Sequence, residues 1–289
     1  MKTTATVAVS SAKTPGEVVF LAWEAYRAAL TRHCNDLTDI DNRFGHCVPF
    51  SGVVVGSPSG ATRFEMLKSM AEDFWERLVR TAEKHFSPHA APLRIDRDVA
   101  AEACPIEVAR KHWSARPRSE QEIVFNPVRT WDWLVATYGG QKGAVQALAQ
   151  LAERLCNAFS FHARPPVQKS GYLVFHLRVC VDDFTKKHYK RNALSTQSRD
   201  NLCKALSALA EFAVVTERSV LADGLTSLRA RFANNANLVP REKHPLGDRG
   251  VELHVVTYLD RVEFRLSMDT AERLQLFLGA YVPPHTESA

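Results

Sequence analysis

The chain has 289 residues, of which 45% are hydrophobic and 24% are charged, as is usual for a folded globular protein. This composition excludes extended disorder away from the ends, and no apolar run approaches the roughly 18–20 residues that cross a bilayer. The formal net charge is only +5. Because Met1–Lys13 lacks a signal-peptide pattern, we expect a cytoplasmic protein without a membrane partner.

The first part of the chain is predicted to be helical after a flexible start at residues 1–13. Thr14–Glu17 combines a capping residue, a proline at the first helical position and a glutamate three residues after the cap, which predicts a helix to about Cys34. Apolar residues at three- and four-residue spacing predict a long amphipathic helix over Thr62–Phe86.

Four prolines then interrupt the segment Ser87–Glu122, which permits only short helices such as Val99–Ala103 and Ile106–Trp113. A domain boundary is possible in this segment, although one continuous domain also fits. We therefore divide the chain into the flexible residues 1–13, a helical region 14–122 and an α+β region 123–289.

The last region is predicted to combine helices with strands. Tyr172–Val181 alternates apolar and less apolar residues, which predicts a half-buried strand. The basic residues Lys186–Arg191 are expected to form a turn, and Glu252–Tyr258 with Val262–Leu266 to form a β-hairpin. The predicted fold class is α+β, with a largely helical N-terminal half and a C-terminal half in which a small antiparallel sheet packs against helices.

Positive charge is concentrated between Arg164 and Lys204. This stretch holds nine lysines or arginines and three acids, a net charge of +6, so the rest of the chain nets −1. A concentrated field of this kind attracts a phosphate backbone or an acidic protein surface. The charge distribution therefore favours binding over catalysis.

The segment Lys186–Arg191 places four cations and two rings directly after a predicted strand. Such a segment can neutralise phosphates and stack on bases, although taken alone it also fits a solvated connection. When the neighbouring cations and a second basic run, Arg110–Arg118, are considered as well, nucleic-acid binding and a solvated connection are equally supported. The candidate nucleic-acid-binding residues are Arg178, Lys186, Lys187, Tyr189, Lys190 and Arg191.

No motif identifies a catalytic site. The pairs His33–Cys34 and His46–Cys47 lack the usual spacing of a zinc site. Asp248, Glu252 and His254 come closest to a metal-dependent nuclease, but a Glu-x-His pattern replaces the expected Glu-x-Lys. The sequence therefore assigns no catalytic residue, no metal and no cofactor, and it favours a protein that is not an enzyme.

Several stretches between about Leu151 and Pro283 share their order with a known family. They are Ala158–Phe161 leading into Lys169, Val174–Val181, Asn201–Phe212, Glu252–Val255 and Glu263–Leu266. In this order the chain resembles the domain-of-unknown-function family 4942, which occurs on plasmids, phages and integrative elements. The resemblance covers less than half of the chain and implies an accessory role on a mobile genetic element, without an assigned activity.

Two hypotheses from different classes follow. In the first, the protein is a non-enzymatic accessory factor of a mobile genetic element that binds DNA or RNA through the basic segment. In the alternative, it binds a host defence protein and inhibits or adapts it, with the same charges steering association. A metal-dependent nuclease is a second alternative. The choice between DNA and RNA and the oligomeric state stay open.

Overall fold

The computed structural model describes residues 14–44, 60–88, 91–110, 121–234 and 237–282. Within these ranges the protein has nine α-helices and a five-stranded antiparallel sheet that lies in the C-terminal half, which confirms the predicted α+β class. No helix in the described ranges is long and apolar enough to span a membrane.

The helices are α1 (Pro15–Phe44), α2 (Gly60–Phe86), α3 (Arg97–Ala103), α4 (Pro127–Tyr138), α5 (Lys142–Phe159), α6 (Asp183–Tyr189), α7 (Thr196–Val215), α8 (Ser219–Ala233) and α9 (Met268–Tyr281). The strands are β1 (Glu107–Arg110), β2 (Gln121–Val124), β3 (Val167–Lys169), β4 (Tyr172–Arg178), β5 (Lys243–Leu246), β6 (Leu253–Thr257) and β7 (Arg261–Ser267).

The chain forms two compact units. The N-terminal unit comprises Met1–Phe86 and Ile95–Gly140, and the C-terminal unit comprises Ser87–Arg94 and Gln141–Ala289. All five tryptophans of the chain belong to the N-terminal unit, so tryptophan fluorescence reports on that unit alone. The expected regions 14–122 and 123–289 stay a prediction, and residues 1–13 lie outside the described ranges.

In the N-terminal unit, α1, α2 and α4 pack against one another around buried aromatic residues. The Trp23 ring of α1 meets Phe74 edge-on at 6.3 Å and Phe125 at 5.8 Å between ring centroids. Helix α4 has a side-chain cap, because the Asn126 side chain accepts a hydrogen bond from the Arg129 N–H, and Pro127 follows at the start of the helix. The unit thus has its own apolar core.

An ion-pair network centred on Arg97 joins α2 to α3. Its guanidinium donates to Glu76 at 3.1 Å and to Glu83 at 2.7 Å. Burial raises the pKa of each carboxyl, but it is outweighed by Arg97 acting together with Arg80 at Glu76 and with the Ile95 N–H at Glu83, so both pKa values lie below the usual range. A carboxyl with a depressed pKa stabilises the fold above its unfolded pKa, and this contribution is lost as pH falls through the folded value.

We therefore expect Arg97→Met to lower the free energy of unfolding of the N-terminal unit by about 1–2 kcal/mol at pH 7, a value discounted because Arg97 is 35% exposed. The difference should shrink below about pH 4, where the carboxyls are protonated in both proteins. Urea unfolding followed by tryptophan fluorescence measures this loss. An equal loss at both pH values would contradict the assignment to the carboxyls.

One strand of the N-terminal unit replaces a predicted helix. We expected a short helix over Ile106–Trp113, but Glu107–Arg110 forms β1, which pairs antiparallel with β2. Pro105 and Pro117 leave little room for helical turns, whereas pairing with β2 satisfies the backbone groups of β1 in a ladder. A partner distant in sequence therefore decides this local structure.

The sheet of the C-terminal unit has the strand order β3-β4-β7-β6-β5, and all neighbouring strands are antiparallel. The predicted strand over Tyr172–Val181 ends at Arg178. The predicted hairpin is β6–β7, closed by a hydrogen bond of 2.8 Å from the Tyr258 N–H to the Arg261 carbonyl. The edge strands β3 and β5 carry no alternating pattern that would have predicted them.

Helices α5 and α9 pack on one face of this sheet, and α7 packs on α5 and pairs with α8. Phe159 of α5 lies 4.7 Å from Phe175 of β4 and 5.0 Å from Phe264 of β7, measured between ring centroids. The Phe212 and Phe277 rings of α7 and α9 add a second contact at 5.5 Å. Burial of these rings stabilises the packing of α5, α7 and α9 with the sheet, and this packed core supports α6.

Candidate nucleic-acid interface

The basic segment belongs to an excursion of the chain between β4 and α7, which we call the α6 excursion and define as Val181–Leu194. Its two ends meet in an antiparallel bridge between Val181 and Leu194. The Asp182 N–H donates to the Ala193 carbonyl at 2.8 Å, and the Ser195 N–H donates to the Cys180 carbonyl at 2.9 Å. Since Ala193 and Leu194 are buried, the base of the excursion is anchored in the core.

A second set of contacts holds the returning end of the excursion. The Asn192 N–H donates to the Asn237 side chain at 2.7 Å, and the Asn192 side chain donates to the Leu238 carbonyl at 3.3 Å. The Leu238 N–H donates back to the Asn192 carbonyl at 2.9 Å. These hydrogen bonds fix the position of α6 and leave its surface exposed to solvent.

Helix α6 forms where we expected a turn. The Asp182 carboxylate accepts hydrogen bonds from the Thr185 hydroxyl at 2.7 Å and from the Thr185 N–H at 3.1 Å. These bonds and one from the Phe184 N–H hold the pKa of Asp182 below its usual range. Lys190 ends the helix in a left-handed conformation with φ 53°, and its N–H donates to the Thr185 carbonyl. The prediction of a turn was wrong because side-chain capping stabilises seven residues as a helix.

The α6 helix buries none of its residues, and it exposes two large rings. Phe184 is 60% exposed and Tyr189 is 64% exposed. The Phe184 ring lies 4.5 Å from the His188 ring and 6.1 Å from the Tyr189 ring, measured between centroids. Three rings thus form one exposed aromatic cluster, which packing of the C-terminal unit does not require.

Four cations surround these rings, namely Lys186, Lys187, Lys190 and Arg191. All four are exposed, and none forms an ion pair with another of the residues that the structure describes. Arg178 is also exposed, at the last residue of β4, where it lies in register opposite Arg261 of β7. The structure therefore gathers five of the six predicted residues on or beside α6 and places Arg178 at the strand end that leads into the excursion.

No protein-family model, curated protein or solved structure matches the chain. The resemblance to the domain-of-unknown-function family 4942 therefore stays a prediction.

The predicted set missed Phe184. It follows two aspartates and precedes the basic run, so no charge pattern drew attention to it. The available signal was its spacing, because residues at i and i+4 share a helix face and pair Phe184 with His188. Recognition of the Asp182 cap as a helix start would have supplied that spacing.

The carboxylates of the nuclease alternative face other partners. Glu252 is ion-paired with Arg218 and accepts a hydrogen bond from the Asp248 N–H at 3.3 Å. The His254 ring is hydrogen-bonded to the Gly250 carbonyl at 3.0 Å. Among the described residues no three His, Cys, Asp or Glu side chains cluster to hold a metal ion. His46–Cys47 and most of the second basic run, residues 111–118, lie outside the described ranges.

Proposed function

We propose that the protein binds single-stranded nucleic acid through the α6 excursion, without acting as an enzyme. The observation that supports this is the exposed aromatic cluster of α6 beside four cations that have no ion-pair partner among the described residues, on a helix anchored at its base. The mobile-element role implied by the family resemblance is part of the proposal and rests on the sequence alone.

The chemistry of the surface favours a single strand. Lysine and arginine neutralise phosphates in any nucleic acid, so they supply affinity without a choice of form. Rings such as Phe184 and Tyr189 stack only on bases that are free of their neighbours, as in single strands and loops, and each stacked base contributes about 1–3 kcal/mol. The combination of rings and cations therefore fits unpaired bases with their phosphates.

The experiment that tests this proposal removes the rings and keeps the charge. Phe184→Ser combined with Tyr189→Ser should weaken binding of a single-stranded oligonucleotide by about 30-fold or more, because two stacking contacts worth about 2–6 kcal/mol together are lost. Fluorescence anisotropy with labelled DNA and RNA strands measures the affinity. Phe184→Tyr with Tyr189→Phe keeps both rings and should retain the affinity.

The matched control is Leu276→Ser, which removes an exposed apolar side chain from α9 of the same unit. It should leave the affinity unchanged. If the ring variant bound as tightly as the wild type, stacking on α6 would be excluded.

The same rings also support a second candidate function, which is binding to a partner protein. Exposed aromatic residues at the centre of a charged surface are typical of binding hot spots. A host protein with an acidic surface would be attracted by the same four cations. This candidate predicts no binding to any DNA or RNA strand at low salt, together with a stoichiometric protein complex that the ring variant abolishes.

A further inference from the structure

The C-terminal unit contains a groove of about 1160 Å³, lined mainly by residues of α5, α7 and α8. Four cations line it, and one acid accompanies them. The cations are Arg94, Arg154, Lys204 and Arg229, and the acid is Glu211, so the lining carries a net charge of +3. This excess of positive charge creates a local field that attracts an anion.

One of these four cations is neutralised by the acid. Arg154 and Glu211 form a bidentate pair with distances of 3.1 and 2.6 Å. Arg94, Lys204 and Arg229 are exposed, and among the described residues no acid pairs with them. The Ser207 hydroxyl accepts a hydrogen bond of 2.9 Å from the Arg229 guanidinium and orients it along the groove wall.

Neutral hydrogen-bonding groups complete the lining. Asn157, Ser160, Asn201 and Asn234 line the same groove as the cations. Cations together with neutral donors are typical of sites that contact phosphate and sugar oxygens. An open groove with exposed cations fits a polymer that crosses it, whereas a small ligand is usually enclosed over most of its surface.

One end of the groove adjoins the base of the α6 excursion. Leu177 and Asn201 line this end, and the Cys180 N–H donates at 2.9 Å to the hydroxyl of Ser198, one turn before Asn201 on α7. Asn234 lines the same end, shortly before the residues that hold Asn192 of the excursion. The base of the α6 excursion and this end of the groove therefore lie close together.

We infer that the groove carries the phosphate backbone of the strand whose bases stack on α6. This inference rests on the proposed function and names the path of the ligand. From Asn201 to Glu211 the groove follows ten residues of α7, about 15 Å at about 1.5 Å per residue. At a rise of about 3.4 Å per nucleotide, it accommodates about four nucleotides.

The test compares short and long strands. A single strand of about 5 nucleotides is too short to occupy α6 and the groove together and should bind at the α6 rings, where its bases stack, whereas one of about 15 nucleotides also fills the groove. Arg94→Gln, Lys204→Gln and Arg229→Gln together should weaken binding of the long strand by about 10-fold or more and reduce its salt slope by about 2, since each lost phosphate contact removes about 0.7. Binding of the short strand should change by less than about 2-fold.

The matched control replaces Arg241, Lys243 and Arg273 by Gln, since these exposed cations of the same unit lie outside both surfaces. It should affect neither strand, and circular dichroism should show that both variants are folded. An unchanged affinity of the groove variant for the long strand overturns the inference. If the ring variant loses binding in the same experiment, the proposed function still holds. Absence of binding by the wild-type protein to both strands overturns the proposed function and this inference with it.

Discussion

Replacement of Arg218 by alanine is expected to destabilise the C-terminal unit by about 3 kcal/mol, because it leaves a buried carboxylate without its counter-charge. Arg218 precedes α8 and pairs with Glu252, which precedes β6, and with Asp269 in the first turn of α9. The Glu252 side chain is only 9% exposed, and Arg218 is 20% exposed. One guanidinium thus connects two helices to the sheet.

Urea unfolding of the variant, followed by far-ultraviolet circular dichroism, measures this loss. Tryptophan fluorescence should report unchanged stability of the N-terminal unit, where all tryptophans lie. The control Asp269→Asn removes the exposed partner and should cost less than about 1 kcal/mol, since that carboxylate is 63% exposed. Equal losses for the two variants would show that burial of Glu252 does not determine the effect.

Reversal of the four α6 cations should abolish most of the affinity for nucleic acid. We expect the combined replacement of Lys186, Lys187, Lys190 and Arg191 by Glu to weaken binding of a single strand at least about 100-fold, because phosphate neutralisation becomes repulsion. Fluorescence anisotropy at a fixed salt concentration measures this change. The reversal lowers the formal net charge of the protein from +5 to −3, since four charges of +1 become −1.

A matched control separates the local effect from the change in net charge. Reversal of Arg241, Lys243, Arg249 and Arg273, four exposed cations of the same unit, gives the same net charge of −3 but leaves α6 intact. This variant should keep most of the affinity, with a loss of less than about 10-fold. Equal losses in the two variants would assign binding to the overall charge instead of α6.

The sequence predicts the fold where local patterns agree with packing. Alternation along Tyr172–Val181 reflects a strand with one buried face, and the cap at Thr14–Glu17 reflects the start of α1. It fails at β1, where residues more than ten positions later provide the hydrogen-bonding partner. Helix α6 was missed for a different reason, because a two-acid cap was taken as part of a loop.

In the candidate site, too, local sequence features were predictable and features formed by distant residues were not. The basic run is contiguous in sequence, so charge counting located the α6 cations. The groove was not predicted, because Arg94, Arg154, Lys204 and Arg229 are scattered over 136 positions (94 to 229) and converge only when α5, α7, α8 and the segment before α3 pack. Spatial convergence of this kind leaves no signal in a single sequence.

The salt dependence of single-strand binding reports directly on contacts between the α6 cations and phosphates. We expect the logarithm of the association constant to fall with the logarithm of salt concentration, and replacement of Lys186, Lys187, Lys190 and Arg191 by Gln to reduce that slope by about 3, at about 0.7 per phosphate. This result would show that the α6 cations contact phosphates. A wild-type affinity that is independent of salt, or a slope that the four substitutions leave unchanged, would contradict the account.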